Sequence, residues 1–351
     1  MKILFFSDIH FHHTHRFSHI TPDGMTIREQ EHLSCADTII NLCKEESIDR
    51  IVFGGDAYGP VGDNISCQTQ YVICKFFEKL QSINLPIDIV VGNHDLLLDT
   101  INNREANKLI PFKNWENINV YDMPCIITDY HFIYMPYNIC DEYNKSFLEN
   151  IKNKNEYVIF SHLEIQGINL GNGIFTKKGV DIDLLKEFKM TLQGHYHSGG
   201  SLAKNIQICG STQRLSFKDK GAARNNIIIY DTDTNKIERR SFECPDWLTF
   251  TDDNLNEFLK IDNNNYVKLE LSSDILLTKE IKNKLNQVKD KDVHIDLERI
   301  SVNKTINTEI EREDEISVMK QFVNNSDNSD EFKEVLIDEG VRLYNKVQNN
   351  Y

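Results

Sequence analysis

Lys2-Ile3-Leu4-Phe5-Phe6-Ser7-Asp8-Ile9-His10 opens the chain and decides how the rest of it is read. An apolar run of strand length stops at a serine and then delivers a carboxylate and an imidazole two positions apart. At a strand end, residues i and i+2 face the same side, so Asp8 and His10 point together. The construction recurs as Gly54-Gly55-Asp56, Gly92-Asn93-His94-Asp95, Ser161-His162 and Gly194-His195-Tyr196-His197, each after an apolar run. Asp8, His10, Asp56, Asn93, His162, His195 and His197 are therefore candidate metal ligands on the rim of a sheet. Oxygen and imidazole donors from five separate segments can enclose two cations, and two-metal sites hydrolyse phosphate esters.

Strands and helices alternate around these motifs. Lys2–Ser7, Asp49–Gly54 and Ile87–Val91 read as buried strands, with helices over Thr26–Glu46 and Asn64–Asn84 between them. This βαβαβ opening predicts a parallel sheet that carries its site beyond the carboxyl ends of its strands. After residue 115 the strands shorten: Ile118–Tyr121, Cys125–Thr128, His131–Met135, Tyr157–Phe160, Met190–Leu192, Ile206–Cys209 and Ile227–Tyr230. Asp183–Phe188 is a short helix, and Asp231–Asn235 is a turn leading to Ile237–Phe242, a closing hairpin. The expected class is α/β (α+β): a two-sheet sandwich flanked by helices.

The pattern breaks at Pro245-Asp246. Tyr266–Leu271, Thr278–Lys289 and Val293–Leu297 then predict a small β-α-β unit. Ser301–Asp330 is polar, asparagine-rich and acidic, a connector, and Glu331–Val347 is helical. The expected division is a catalytic domain over 1–244, a cap over 245–300, and a linker with a helical segment over 301–351. The tail's apolar stripe, Phe332, Val335, Leu336, Leu343 and Val347, has no obvious internal core to cover it.

Composition narrows the setting. At 351 residues, 40% hydrophobic and 26% charged, the chain suits a large globular domain with a smaller companion. No stretch is long and apolar enough for a membrane span, no signal-peptide pattern precedes the first strand, and the eight cysteines contain no C-x-x-C pair. Reduced thiols and a cytoplasmic setting are expected. A net charge of −15 argues against unaided gripping of nucleic-acid phosphates, so any DNA contact must be local, metal-mediated or shared with a partner.

The ligand types have their own logic. Asp56 follows two glycines that allow a tight exit turn, and its carboxylate can bridge two cations. Asn93 adds a neutral oxygen. Mixed oxygen and imidazole donors suit Mn²⁺, Fe²⁺ or Zn²⁺ better than an all-oxygen Mg²⁺ cage. His12, His13, His15 and His19 read as a solvated loop, and His32, His131 and His294 as ordinary structural histidines.

Taken together, D-x-H, G-D, G-N-H-[DE], H and G-H-x-H over roughly residues 1–240 resemble the calcineurin-like metallophosphoesterase superfamily. Within it, the chain is most similar to the SbcD-type nuclease subunits of double-strand-break repair complexes, especially the small subunits of phage recombination endonucleases. Met1-Lys2-Ile3-Leu4, Gly210-Ser211-Thr212, the cap and the C-terminal helix carry that closer likeness. The resemblance implies that Asp8, His10, Asp56 and His197 hold one ion, and Asp56, Asn93, His162 and His195 the other. Water activated between the two cations would attack phosphorus. His94 would contact the phosphate and protonate the departing 3′ oxygen, and Asp95 would orient His94. One departure is Ala57-Tyr58-Gly59, where such proteins often carry a further polar residue or histidine; it touches no ligand.

The resemblance further implies a DNA exonuclease or endonuclease of recombination, replication and end processing, in a bacterial cell infected by a phage among other settings. Its partners would be DNA, an SMC-like ATPase docked on the tail helix, and a second copy in a homodimer. Arg214, Lys218, Lys220 and Arg224 are the candidate DNA contacts. Two other functions compete: a phosphomonoesterase or small-nucleotide phosphodiesterase, and a non-catalytic scaffold for an ATPase. The complete ligand set and His94 argue against the scaffold.

Overall fold

Every residue from Ile3 to Phe6 is buried, because β1 (Lys2–Phe6) is covered on both faces. Alternation then sends Leu4 and Phe6 into one core and Ile3 and Phe5 into another. The computed structural model describes residues 1–11, 20–59, 65–97, 106–168, 175–215, 217, 226–261, 265–272, 280–281, 283–284, 297–300, 323, 333, 337 and 341.

The first core lies between a sheet and two helices. Helix α1 (Ile27–Glu45) starts at a capping box in which Thr26 accepts from the Glu29 backbone and Glu29 returns the bond. Strand β2 (Arg50–Phe53), helix α2 (Cys67–Gln81), β3 (Ile87–Val90) and β4 (Ile118–Tyr121) follow. Both helices are shorter than the predicted spans, since Thr26 and Ser66 are caps rather than helical positions. Ala36, Ile39, Val72, Ile73, Phe76 and Leu80 pack here against Leu4, Phe6, Ile51, Phe53 and Ile89.

A second sheet contains β5 (Cys125–Ile127), β6 (Phe132–Met135), β7 (Val158–Ser161), β8 (Met190–Gln193), β9 (Gly200–Ala203) and β10 (Ile206–Ile208). Helices α3 (Asp141–Glu149) and α4 (Ile182–Lys186) cover its outer side through Leu148 and Leu185. The hairpin β11 (Ile227–Asp231) and β12 (Lys236–Arg240) returns to the first sheet, β11 pairing antiparallel with β1. The sheet orders are β12-β11-β1-β2-β3-β4 and β5-β6-β7-β8-β10-β9. Ile3, Phe5, Val52 and Val90 from one meet Phe132, Phe160, Met190 and Leu192 from the other. The result is the expected sandwich of two mixed sheets flanked by helices.

Beyond residue 245 a third sheet forms from β13 (Trp247–Thr251), β14 (Tyr266–Ser272) and β15 (Leu297–Ile300), all parallel in that order. Strand β13 was absent from the sequence expectation, and β15 begins where the predicted Val293–Leu297 strand ends. Phe250, Leu255, Phe258, Val267, Leu269 and Ile281 give this sheet a core of its own, with α5 (Leu255–Phe258) packed on it. Contacts divide the chain into Met1–Ile300 and Ser301–Tyr351. In the latter, Val323, Lys333, Ile337 and Val341 are helical. Among the described residues no helix is long and apolar enough to cross a membrane.

Candidate metal centre

Parallel strands place the motif loops. Asp8 and His10 follow β1, Asp56 follows β2, Asn93 and His94 follow β3, His162 follows β7, and His195 and His197 follow β8. Strands β1–β3 belong to one sheet and β7–β8 to the other, so the candidate ligands converge from both. All seven are brought together.

The backbone is strained to do this. Asp8, His10, Asp56 and His195 have φ of 56°, 52°, 58° and 71°, in the left-handed region that side chains with a Cβ seldom adopt. Each such residue costs on the order of 1 kcal/mol, and the surroundings must hold it. Here the loops hold one another. The Asp8 and His10 amides donate to the Gly55 and Asp56 carbonyls, and the His195 amide donates to the Asp8 carboxylate at 3.1 Å. The His94 amide donates to Asp56 Oδ1 at 2.9 Å. Gly92 is required by close approach: a Cβ there would run into the Asp56 carboxylate and amide.

Donor spacing fits cations. His10 Nε2 lies 3.0 Å from His197 Nε2 and 3.7 Å from Asp56 Oδ2, and Asp56 Oδ2 lies 3.3 Å from His162 Nε2. Asn93 Oδ1 is 3.1 Å from His162 Nε2 and 3.0 Å from His195 Nδ1. Ligands about 2.1 Å from a common octahedral ion would stand about 3 Å apart, and most of these spacings are compatible with that. Asp8–His10–His197, His10–Asp56–His94 and Asp56–His162–His195 each gather their ligand atoms within 4.8 Å. Asp56 belongs to two of these groups, as a bridging carboxylate must. The second nitrogens are anchored: His162 Nδ1 faces the Gly54 carbonyl at 2.7 Å and His10 Nδ1 the Tyr58 carbonyl at 3.1 Å. Backbone acceptors at Nδ1 leave the Nε2 lone pairs directed inward.

Without cations the site is electrostatically frustrated. Burial pushes His10 and His195 down to about 3, and burial also lowers His94. Burial opposes charge on His162 as well, but the adjacent Asp56 carboxylate outweighs it and raises the ring to about 9. Asp56 is held low in turn: burial is overcome by His162, His10 and His94. A ligand nitrogen must shed its proton before it binds metal. Metal binding at pH 7 should therefore release at least one proton, and affinity should rise by up to about tenfold per pH unit toward pH 9. Calorimetry of Mn²⁺ binding in buffers of different ionisation enthalpy reads the proton count; zero release would exclude ligation by His162. The raised ring also gives the metal-free protein stability that is present below its ordinary 6.5 and lost as pH climbs through about 9.

Asp95 behaves differently from its expected role. It is fully buried, and its oxygens accept four backbone N–H bonds, from Gly92, Asp56 and Ala57 at 2.9 Å and from Tyr58 at 3.1 Å. It clamps the loop after β2 to the loop after β3 rather than gripping the His94 ring. The His94 peptide is placed by Asp56 from one side and by Lys108, whose ammonium donates to the His94 carbonyl at 2.9 Å, from the other. Tyr58, in the departing Ala57-Tyr58-Gly59 segment, does touch a candidate ligand, contrary to expectation, through its carbonyl facing His10 Nδ1; its side chain is buried and donates to Gln70 at 2.6 Å.

Two neighbours escaped the sequence reading. Tyr137 stacks at a tilt 5.8 Å from the His195 ring; it follows β6 just as the ligands follow their strands, a signal that was available. Lys108 had none, because its contact with His94 depends on the bridge that pairs Leu96 with Asn107. Arg214, a candidate DNA contact, is instead engaged by the Trp247 carbonyl at 3.0 Å and Asp246 at 3.7 Å. Its guanidinium thus has partners within the chain. Lys218, Lys220 and Arg224 lie outside the described residues, as do Phe332, Val335, Leu336, Leu343 and Val347.

Residues 1–199 match the family model of the calcineurin-like phosphoesterases. The chain belongs to this family. As a calcineurin-like phosphoesterase it is a metal-dependent hydrolase of phosphoesters, and the convergent Asp and His clusters are candidate sites for divalent ions. Among solved structures it is similar to Yfce, a phosphoesterase from E. coli, at 12% identity over 69% of this chain and 100% of that one, with a TM-score of 0.30. It is also similar to a dimetal phosphatase from Danio rerio at 11% identity over 59% of this chain and 85% of the other, with a TM-score of 0.32. Neither likeness bears on substrate. No curated protein matches the chain.

Proposed function

We propose that this phosphoesterase is a DNA nuclease, exonucleolytic or endonucleolytic, that processes ends in recombination and double-strand-break repair together with an SMC-like ATPase. The observation that carries the reading is the sheet β13-β14-β15 with its own apolar core, appended after the catalytic layers. Hydrolysis of a small ester has no need of it; a long polymer gives such a unit something to act on.

Asp8, His10, Asp56 and His197 would hold one divalent ion and Asp56, Asn93, His162 and His195 the second, Mn²⁺ being the expected metal. When bound, the pair supplies an activated water and neutralises charge on the phosphate oxygens. His94, half-buried and held at both ends of its peptide, would bind the phosphate and give a proton to the leaving 3′ oxygen. The tail would dock on the ATPase, and the ATPase would supply cationic surface that a chain of net charge −15 lacks.

The expected result is Mn²⁺-dependent cleavage of duplex DNA, enhanced by the cognate ATPase. His94→Ala should lower it by about 10²–10⁴-fold, the usual worth of a general acid, without loss of bound metal. A wild-type protein that hydrolyses only small esters and binds no ATPase would overturn the nuclease reading. The net charge of −15 and the internal engagement of Arg214 favour that competing function, a small-nucleotide phosphodiesterase.

A further inference from the structure

The cap sheet and the catalytic layers have separate apolar cores, and among the described residues the side chains of Arg28 and Arg214 connect them. Arg28, on the first turn of α1, sits at that junction with its side chain only 4% exposed. Its Nη1 donates to Glu31 Oε2 at 2.7 Å and Gln213 Oε1 at 2.8 Å, and its Nη2 to the Arg214 carbonyl at 3.2 Å. The same guanidinium lies 5.3 Å from the Trp247 ring centre and 5.4 Å from that of Tyr266. These rings belong to β13 and β14, stack on each other at 4.7 Å, and are directly paired in register. Tyr266 hydroxyl donates back to Glu31 Oε1 at 2.8 Å, and Phe217 packs edge-on against Trp247.

One cation thus touches three parts of the molecule. Helix α1 provides the base, fixed by its capping box and by Cys35, Ala36 and Ile39 in the main core. Gln213 and Arg214 belong to the loop whose Ser211 amide donates to the carbonyl of His197, a candidate ligand. Trp247 and Tyr266 begin the cap sheet. A buried guanidinium is stable only when its donors are satisfied, and a planar fork set beside the stacked pair of rings meets that condition over a narrow range of geometries. Arg28 therefore specifies where the cap stands relative to the loop behind the metal centre.

We propose that Arg28 is a positioning residue that registers the cap sheet on the catalytic domain, so that the cap governs action on duplex DNA while the hydrolytic centre works without it. In its substrate this rests on the nuclease reading above; in its mechanics it does not. The reach of a polymer from metal centre to cap depends on the angle between them. A small diester occupies the centre alone.

The test compares Arg28→Met and Arg28→Lys with wild type in Mn²⁺. Hydrolysis of bis(p-nitrophenyl) phosphate should stay within about twofold for both variants, because no ligand is touched. For duplex DNA, Arg28→Met should raise KM by about tenfold or more with kcat less affected, since binding of the distant part of the substrate is what is lost. Arg28→Lys, keeping the charge over the rings but not the fork, should fall between. Trp247 emission, read in a Trp115→Phe background, should shift to the red in Arg28→Met as the stack opens. Equal losses on both substrates would overturn the proposal, since Arg28 would then serve folding generally; so would an unchanged KM for duplex. If wild type cleaves no DNA, the nuclease reading fails by itself, and unchanged Trp247 emission in Arg28→Met would then overturn the register role. Should Arg28→Met not fold, Tyr266→Phe, which removes the hydroxyl's bonds to Glu31 and Arg28 and leaves the ring stack in place, should show the same split between substrates in smaller measure, and equal effects on both would overturn the proposal.

Discussion

Asp56→Ala is expected to abolish metal-dependent phosphoester hydrolysis, lowering kcat/KM by at least about 10³-fold, since one lost charge-stabilising donor alone costs about 10²–10³. Asp56 does three things at once. Its Oδ2 lies 3.7 Å from His10 Nε2 and 3.3 Å from His162 Nε2, so it is the donor common to both candidate ion positions. Its Oδ1 accepts the His94 amide, setting the placement of the proposed acid. Its charge keeps the neighbouring imidazoles compatible with one another when no cation is present. Alanine removes all three. Asp56→Asn separates them, because the amide oxygen can still accept from His94 while the bridging charge is gone. Metal content after equilibrium dialysis against Mn²⁺ should fall from two ions to one or none in both variants, with His94 retained in place only in Asp56→Asn. If Asp56→Ala keeps two ions and activity within tenfold of wild type, Asp56 is not the bridge.

What the sequence disclosed and what it hid follow from the range of the forces involved. The loops after β1, β2, β3, β7 and β8 were legible because each is local: an apolar run must end, and the next polar residues must leave at the rim. The hairpin of β11 and β12 was legible for the same reason, its turn residues Asp231–Asn235 lying between two apolar runs. Helix α3 was missed because among its residues only Asn144 and Leu148 are buried, too narrow a stripe for a helical period to show. Strand β9 begins at Gly200 on an edge with two exposed residues, and β13 starts directly after the Pro245-Asp246 break that masked it. The strained φ angles, the Lys108 bond to His94 and the engagement of Arg214 have no local signal at all. They arise when segments distant in sequence are pressed together, and only the fold shows them. Asp95 is the sharpest case, since its hydrogen-bond partners include residues 37–39 positions away.

Asp95→Ala should cost about 3–5 kcal/mol of stability and empty the metal centre, although Asp95 ligates nothing. Truncation strands four N–H groups in a closed site, each worth about 1–3 kcal/mol when left unsatisfied, and partial relaxation recovers some of that sum. The bonds in question fix the turn that presents Asp56 at φ 58° and the turn that presents Asn93 and His94. Once they are gone, Asp56 has a cheaper conformation to relax into, and the shared ligand moves away from both ion positions. Asp95→Asn keeps the shape yet turns one acceptor into a donor that faces other donors, so it should recover less than half of the lost stability. Burial, then the nearby Asp56, pushes the Asp95 carboxyl up to about 7, with its backbone bonds opposing. Bound cations offset that cost, and the melting temperature of wild type should therefore rise more on adding Mn²⁺ than that of either variant. The two roles for Asp95 make opposite predictions. A residue that oriented the His94 ring would, when removed, lower kcat and leave metal content and melting temperature as they were. A residue that clamps two loops lowers both, and excess Mn²⁺ restores part of the activity by pulling the turn back into place.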